Sequence, residues 1–223
     1  MRAVARGIAR SQGIEPRKVR ALRVEVLLDA VAALPDTLTG ARDRAVLLFG
    51  WAGAFRRAEL VALTWSDLDD SDPRGLVVTV RRSKTDQLGE GERVPVLRGA
   101  APETCPVEAL AAWRARAGLV EGALFRRVIV KRFEGSLVHL AAGGDLSGRT
   151  INAIVKRAVD RLGLDPRLYG AHSLRRGFAT STARAGAEER AIGRVTRHRS
   201  IAVLRGYVEA ESLFEDHPAR GLL

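Results

Sequence analysis

The sequence predicts an α+β fold that is mostly helical and carries one small antiparallel β-sheet or hairpin. Apolar residues recur at the spacing of an amphipathic helix along most of the chain, most clearly at Ile151, Ile154 and Leu162. Short runs rich in β-branched residues occur at 76–80 and 93–97. Because strands and helices do not alternate along the chain, a parallel βαβ sheet is not expected.

The first helices are predicted from apolar spacing and from the residues that close each segment. One helix is expected over residues 24–31, with Pro35 ending the segment. The next is expected to be capped by Thr39 or Asp43 and to run to Trp51.

A short third helix over residues 58–65 precedes the predicted hairpin. It is expected to end in an acidic turn. The β-branched runs 76–80 and 93–97 then form an antiparallel pair, and Lys84 lies on the long loop between them.

The second half of the chain is predicted to be helical around one segment that gives no clear pattern. Pro106 is a favoured first helical residue, and Gly118 is a favoured stop. Residues 126–149 are rich in Arg and Gly and predict no regular element. Further helices are expected over residues 150–162, 173–184, 187–195 and 201–208.

The amino-acid composition limits the classes of function that are compatible with this sequence. The 223 residues are enough for one domain with a sizeable core, and 46% hydrophobic residues exclude a disordered chain. The net charge of +11 indicates an anionic partner, with nucleic acid more expected than an anionic membrane. The single cysteine, Cys105, excludes an internal disulfide and a cysteine zinc cluster. No secretory signal or spanning apolar run is visible, so a cytoplasmic protein is expected.

Several polar residues occur where a solvated surface would not require them. Each one alone is typical of surface charge or packing, but the set has the chemistry of phosphoryl transfer without a metal. Arginine forks bind non-bridging phosphate oxygens in pairs, and histidines donate to those oxygens or move protons. A tyrosine phenol can attack phosphorus, and a lysine on a loop can protonate the leaving oxygen. The residues concerned are Arg56, Lys84, His172, Arg175, His198 and Tyr207.

Four segments containing these residues resemble the motifs of the tyrosine recombinases, also called the phage integrase family. GAFRRAELVALTWSDLD (53–69) resembles the first-arginine motif, and SKTDQLGEG (83–91) resembles the hairpin with the catalytic lysine. AHSLRRGFAT (171–180) and RHRSIAVLRGYV (197–208) resemble the second and third motifs. The resemblance covers about residues 21–215 and implies the catalytic fold of that family.

The resemblance implies a role for each of the six residues. Tyr207 is then the nucleophile, Arg56 and Arg175 hold the scissile phosphate, and Lys84 protonates the 5′ leaving oxygen. His198 donates to the phosphate, and His172 assists as acid or base. Neither metal, cofactor nor ATP is expected. Further DNA contacts are predicted at Arg57, Arg81, Arg82, Arg176, Arg197 and Arg199.

This chain departs from the family pattern at four positions, in three segments beside the catalytic residues. Ala54-Phe55 stands where the family often has Gly-Leu before the first arginine. Ala171 stands where the family often has glycine before the second-motif histidine. Arg197 stands at the position before the third-motif histidine, where the family usually has glycine. No catalytic side chain is lost, and Arg197 is expected either to add a phosphate contact or to crowd the turn.

The domain boundaries are also predicted from the resemblance. Residues 21–223 form the catalytic domain with a tail over 209–223, and residues 1–20 resemble a basic linker or the end of a missing N-terminal core-binding domain. The same residues are equally compatible with a solvated tail. A fragment, a misassigned start and a decayed mobile element are the three explanations considered for the missing domain.

The implied partner is double-stranded DNA, with four copies of the chain acting on two duplexes. Leu213 and Phe214 are then expected to dock on a neighbouring copy or to pack on their own domain. Location at the bacterial nucleoid follows from such a role, without a membrane contact. A type IB topoisomerase and a non-catalytic DNA-binding remnant are the alternative functions, and a helix-turn-helix regulator leaves Lys84, His172 and Arg175 unexplained.

Overall fold

The computed structural model describes residues 19–81, 91–133 and 136–197, with the backbone alone described at 141–143. Its helices and strands confirm the predicted α+β class. The helices are α1 (Val24–Ala32), α2 (Leu38–Ala52), α3 (Arg57–Ala62), α4 (Pro106–Ala117), α5 (Gly148–Asp160), α6 (Ala171–Arg184) and α7 (Glu189–Thr196). The strands are β1 (Leu68–Asp69), β2 (Gly75–Val80), β3 (Glu92–Leu97), β4 (Arg126–Phe133) and β5 (Ser136–Asp145).

The helices surround a core that the apolar stripes predict. In α5 the stripe is buried as expected, with Ile151 and Ile154 almost fully inside. Phe49 of α2 stacks on Phe55 with ring centroids 5.1 Å apart. Trp113 of α4 is fully buried, and its indole nitrogen donates to the Leu124 carbonyl at 3.0 Å. α4 begins at Pro106 and ends before Gly118, whose φ of 62° suits glycine, so both predicted ends are confirmed.

The predicted hairpin is present and gains one strand. β2 pairs antiparallel with β3, with Val78 opposite Val94, and β1 adds to the free edge of β2. Burial alternates along β3, which places one face on the core. The loop containing Lys84 lies outside the described residues.

Two predicted helix boundaries are wrong. The cap of α2 is Thr37, whose hydroxyl accepts from the Gly40 amide at 3.1 Å. The predicted caps have other partners, because Thr39 Oγ1 lies 2.8 Å from His139 Nδ1 and Asp43 is buried against Arg42. The third helix ends at Ala62, not at residue 65.

That early end has a local cause. The Thr64 amide donates to the Asp67 carboxylate at 2.8 Å, and this bond starts a separate 3₁₀ turn over residues 65–67. The other predicted helices agree with α1, α5, α6 and α7 within about three residues at each end, and the segment 201–208 lies outside the described residues.

The segment that gave no pattern forms a second two-stranded sheet. β4 pairs antiparallel with β5, from Arg126 opposite Asp145 to Phe133 opposite Ser136, with an irregular register near Arg126. Apolar side chains such as Ile129, Val130 and Phe133 are exposed, so successive residues do not divide into a buried and a solvated face. The alternation by which a strand is usually detected is therefore missing.

Residues 19–24 run along α6 and are fastened to it. The Leu22 amide donates to the Ser173 carbonyl at 2.9 Å, and the Val24 amide donates to the Ser181 hydroxyl at 3.0 Å. A methyl group on Gly177 would lie 1.7 Å from the Leu22 carbonyl oxygen. Only glycine therefore allows this approach of the two segments.

Candidate active site

Arg56 lies at the N-terminal cap of α3, where one carboxylate holds both its backbone and its side chain. The Arg56 amide donates to Glu59 Oε2 at 2.7 Å, and Arg56 Nη1 donates to Glu59 Oε1 at 2.6 Å. The Arg56 side chain is nevertheless 37% exposed. Because Nη2 donates to the Arg197 carbonyl at 3.0 Å, both ends of the guanidinium are held, and the exposed part of the side chain is where an anionic ligand can reach it.

Arg175 belongs to α6 and is buried, with 1% of its surface exposed. Its Nη1 donates to the Ala54 carbonyl at 2.9 Å. Ala54 has a φ of 46°, in the left-handed region that favours glycine, and this turn directs its carbonyl towards α6. The bond brings the segment just before Arg56 against the helix that carries Arg175.

His172 lies one turn before Arg175, near the start of α6, with part of its side chain exposed. The pKa of His172 is lowered, first because the ring loses solvent against the protein, and then because Arg175, Arg176 and Arg56 are positively charged. This shift favours the neutral imidazole, the form that can accept a proton.

The carboxylate of Glu59 is shared between Arg56 and Arg197. Arg197 Nη2 donates to Glu59 Oε2 at 2.5 Å, and both side chains of this pair are nearly inaccessible to solvent. Burial alone raises the pKa of Glu59, but the charge of Arg197 and the hydrogen bonds from Arg56 lower it by more. Glu59 is consequently an anion between two guanidinium groups.

The predicted DNA contacts among the described residues differ in their exposure. Arg57 is exposed and lies against Gly148, at the start of α5. Arg81 is 64% exposed and pairs with Asp67. Both can reach a ligand without rearrangement.

Arg176 and Arg197 are placed differently, because their side chains face the protein interior. Arg176 is buried and donates to the Val19 carbonyl, and the side chain of Arg197 is 4% exposed. A DNA contact by either stays a prediction, and it would require the guanidinium to leave these partners.

Five predicted site residues lie outside the described residues, and their roles stay predictions: Lys84, Arg82, His198, Arg199 and Tyr207. Of the six predicted catalytic residues, the structure brings together Arg56, His172 and Arg175. The first-arginine motif and α6, more than 100 positions apart in sequence, meet at the Ala54 carbonyl.

Sequence reasoning missed two carboxylates at this site. Glu59 lies three positions after Arg56, a spacing that places two helical side chains on one face, but no predicted role was assigned to it. Glu92, at the start of β3, lies 3.3 Å from Arg197 Nε, and no local pattern marks it.

The fold is shared with solved recombinases. The XerA recombinase matches with a TM-score of 0.61 at 21% identity, over 87% of this chain and 60% of that one. A lambda integrase dimer bound to a COC′ core site matches with a TM-score of 0.62 at 18% identity, over 88% of this chain and 61% of that one. At these identities the likeness shows the fold.

The sequence comparisons show the family. The model of the phage integrase family matches residues 19–212, and the chain therefore belongs to that family. An integrase/recombinase xerD homolog of Selenomonas ruminantium is 36% identical over 97% of this chain and 62% of its own length. Tyrosine recombinase XerC of Pelotomaculum thermopropionicum is 33% identical over 88% of this chain and 59% of its own length. The chain thus spans about three fifths of these curated relatives.

Within residues 19–81, 91–133 and 136–197, none of the helices combines the length and apolar character needed to cross a membrane.

Proposed function

We propose that this protein is a site-specific DNA recombinase that cleaves and rejoins DNA through a covalent 3′-phosphotyrosyl intermediate. The observation that carries this proposal is the meeting of Arg56, Arg175 and His172 at one place in a chain of the phage integrase family. Two guanidinium groups from distant segments suit the two non-bridging oxygens of a phosphodiester.

In the proposed reaction, Tyr207 oxygen attacks the scissile phosphorus and the bond to the 5′ oxygen breaks. His172 accepts the phenolic proton, and Lys84 gives a proton to the 5′ oxygen as it leaves. Arg56, Arg175 and His198 stabilise the charge on the non-bridging oxygens. A 5′ hydroxyl of the partner strand then attacks the phosphotyrosine and releases Tyr207, so neither a metal nor ATP is required.

The proposed partner is duplex DNA, because structural neighbours include a lambda integrase and a XerH recombinase in complexes with DNA substrates. The further DNA contacts proposed first are Arg57 and Arg81, which are exposed. A DNA-cleaving role would place the protein at the bacterial nucleoid.

We extend the proposal to a homotetramer on two duplexes, in which the 209–223 tail docks on a neighbouring copy. An apolar groove of about 430 Å³, lined by Leu28, Trp51, Leu97, Phe178 and Val195, offers a place for such apolar side chains as Leu213 and Phe214.

The test is covalent trapping on nicked duplexes taken from the DNA that flanks the gene. The nick lets a short 5′ fragment diffuse away, so that religation does not erase the intermediate. The sequence contains two tyrosines, and this supplies a matched control. The wild type and Tyr169→Phe are expected to form the adduct, and Tyr207→Phe is expected to lose it at least about 100-fold with DNA binding retained.

Three outcomes would change the proposal. An adduct that survives in Tyr207→Phe would show another nucleophile. Relaxation of supercoiled DNA without joining of two duplexes would favour the topoisomerase. Binding without an adduct, also with an upstream reading frame restored, would favour a non-catalytic DNA-binding protein.

A further inference from the structure

Arg197 adopts a backbone conformation that few residues accept. It ends α7 with φ 53° and ψ 44°, in the left-handed region. There the Cβ of an L-residue crowds the following carbonyl, which is why glycine is favoured. An arginine persists in such a position when its side chain gains interactions that offset the backbone cost.

The guanidinium of Arg197 has those interactions. It contacts Glu59, donates to the Val195 carbonyl at 3.1 Å, and lies 5.4 Å from the Phe55 ring centroid. Burial lowers the pKa of Arg197, and Glu59 and Glu92 partly offset this effect. A buried guanidinium therefore requires these carboxylates.

The contacts of Arg197 lead directly to Arg56. Glu59 Oε2 receives the Arg197 side chain and the Arg56 amide, and Glu59 Oε1 receives Arg56 Nη1. The Arg197 carbonyl in turn accepts from Arg56 Nη2 at 3.0 Å. Arg56 is thus held on one side by a carboxylate that Arg197 fixes and on the other by the Arg197 backbone.

Charge supports the same conclusion. In an isolated Arg56–Glu59 pair, the carboxylate would cancel the charge that Arg56 offers to a phosphate. Arg197 binds the same carboxylate, so the charge of Glu59 is divided between two guanidinium groups, and Glu92 beside Arg197 brings the formal charge of the four side chains to zero. Arg56 therefore offers a phosphate more of its charge than it would in an isolated pair with Glu59.

A third segment of the site joins through Glu92. This residue begins β3, where the chain returns from the loop that contains Lys84, and its Oε2 lies 3.3 Å from Arg197 Nε. The Arg197 side chain therefore connects the first-arginine motif, the base of the hairpin and the end of α7.

We propose that Arg197 is a positioning residue, which orients Arg56 through Glu59 and fixes the end of α7 against the hairpin base without contacting DNA. This inference rests on the proposed function in that the oriented group is the phosphate-binding Arg56. The Arg197 side chain thus orients Arg56 from a position whose left-handed backbone conformation favours glycine.

The test compares Arg197→Gly with a matched control, Arg194→Met. The control removes an exposed positive charge from α7, the helix that Arg197 ends. Glycine keeps the carbonyl that Arg56 uses and accepts the left-handed backbone, so the fold is expected to persist. At saturating DNA, Arg197→Gly should form the phosphotyrosyl adduct at least tenfold more slowly, with the Kd for DNA within twofold of the wild type. Arg194→Met should change the rate by less than twofold.

A double-mutant cycle tests the route through Glu59. Glu59→Gln alone should also slow attachment, and the double variant Arg197→Gly with Glu59→Gln should be within twofold of the slower single variant. An Arg197→Gly rate equal to or above the wild type, or a double variant whose loss is the product of the single losses, would overturn the proposal. So would a DNA affinity that falls in parallel with the rate.

A measurement independent of catalysis separates this proposal from the proposed function. Proton exchange of the Arg56 guanidinium, followed by ¹⁵N NMR on the free protein, should accelerate at least tenfold in Arg197→Gly and stay unchanged in Arg194→Met. If the wild type forms no adduct, the proposed function fails, and this exchange rate still decides the positioning role. Equal exchange in the wild type and Arg197→Gly would refute it.

Discussion

Arg56 and Arg175 are predicted to do the same work, but the protein holds them in different ways. Arg175 is buried, and its Nη1 donates to the neutral carbonyl of Ala54. Arg56 is 37% exposed and is fixed by the carboxylate of Glu59. One arginine is therefore held inside the protein by a backbone carbonyl, and the other is partly exposed and held by a buried carboxylate.

The difference shows two ways to orient a phosphate-binding side chain. A hydrogen bond to a neutral carbonyl orients Arg175 in a region of low dielectric, where the attraction between a guanidinium and an anion is stronger than in water. A carboxylate fixes Arg56 more firmly but weakens its field, and this loss explains why a second guanidinium, from Arg197, is useful nearby.

The largest expected effect comes from replacing each arginine by lysine. Arg175→Lys should lower the rate of covalent attachment at saturating DNA at least about 100-fold, because a buried ammonium cannot replace a two-pronged donor. Arg56→Lys should lower it about tenfold, since an exposed lysine remains hydrated and can still pair with Glu59. Single-turnover trapping measures both. Equal losses, or the reverse order, would show that burial does not distinguish the two sites.

A smaller effect is expected on stability at the turn that presents a carbonyl to Arg175. Ala54→Gly removes a buried methyl group but relieves a left-handed backbone, so the free energy of unfolding should fall by no more than about 1 kcal/mol. Ala45 is equally buried and lies within α2, and there glycine should cost about 2 kcal/mol. Urea unfolding of the two variants gives the comparison. If Ala54→Gly lowered the free energy of unfolding more than Ala45→Gly does, the backbone at Ala54 would not be strained.

The smallest expected effect is on the titration of His172. Its pKa is lowered first by burial and then by positive neighbours, among which Arg175 lowers it more than Arg56 does. Removing a positive neighbour favours the imidazolium form, so Arg175→Gln should raise the midpoint more than Arg56→Gln does. The His172 ring signal in ¹H NMR, assigned with His172→Gln, reports the midpoint. A wild-type midpoint at or above that of an unperturbed histidine would contradict the lowered pKa.

The parts of the fold that were predicted are those in which local sequence and burial agree. The apolar spacing of α5 and the Pro106 start and Gly118 stop of α4 follow directly from helix geometry. The β4–β5 hairpin could not be predicted, because Ile129 and Val130 are neighbours in sequence and both are exposed. A strand without a buried face carries no period of two.

The site likewise contains residues that the sequence predicts and contacts that it does not predict. The identities of Arg56, His172 and Arg175 could be predicted from motifs, and the structure brings these three together. The partners of Arg197 could not be predicted, since Glu59 is 138 positions away and the usual residue at position 197 has no side chain. Thr37 was missed as a cap for a smaller reason, because Thr39 and Asp43 are equally suitable cap residues whose side chains have other partners in the folded protein.

The hydrogen bonds between residues 19–24 and α6 have a mechanical consequence. Hydrogen bonds from Leu22 and Val24, and the close approach at Gly177, join this segment to the helix that carries His172 and Arg175. Tension in the chain ahead of residue 19 would act first on that helix, before it spread to the rest of the core. A force on this segment would therefore be transmitted directly to the helix that carries two of the predicted catalytic residues.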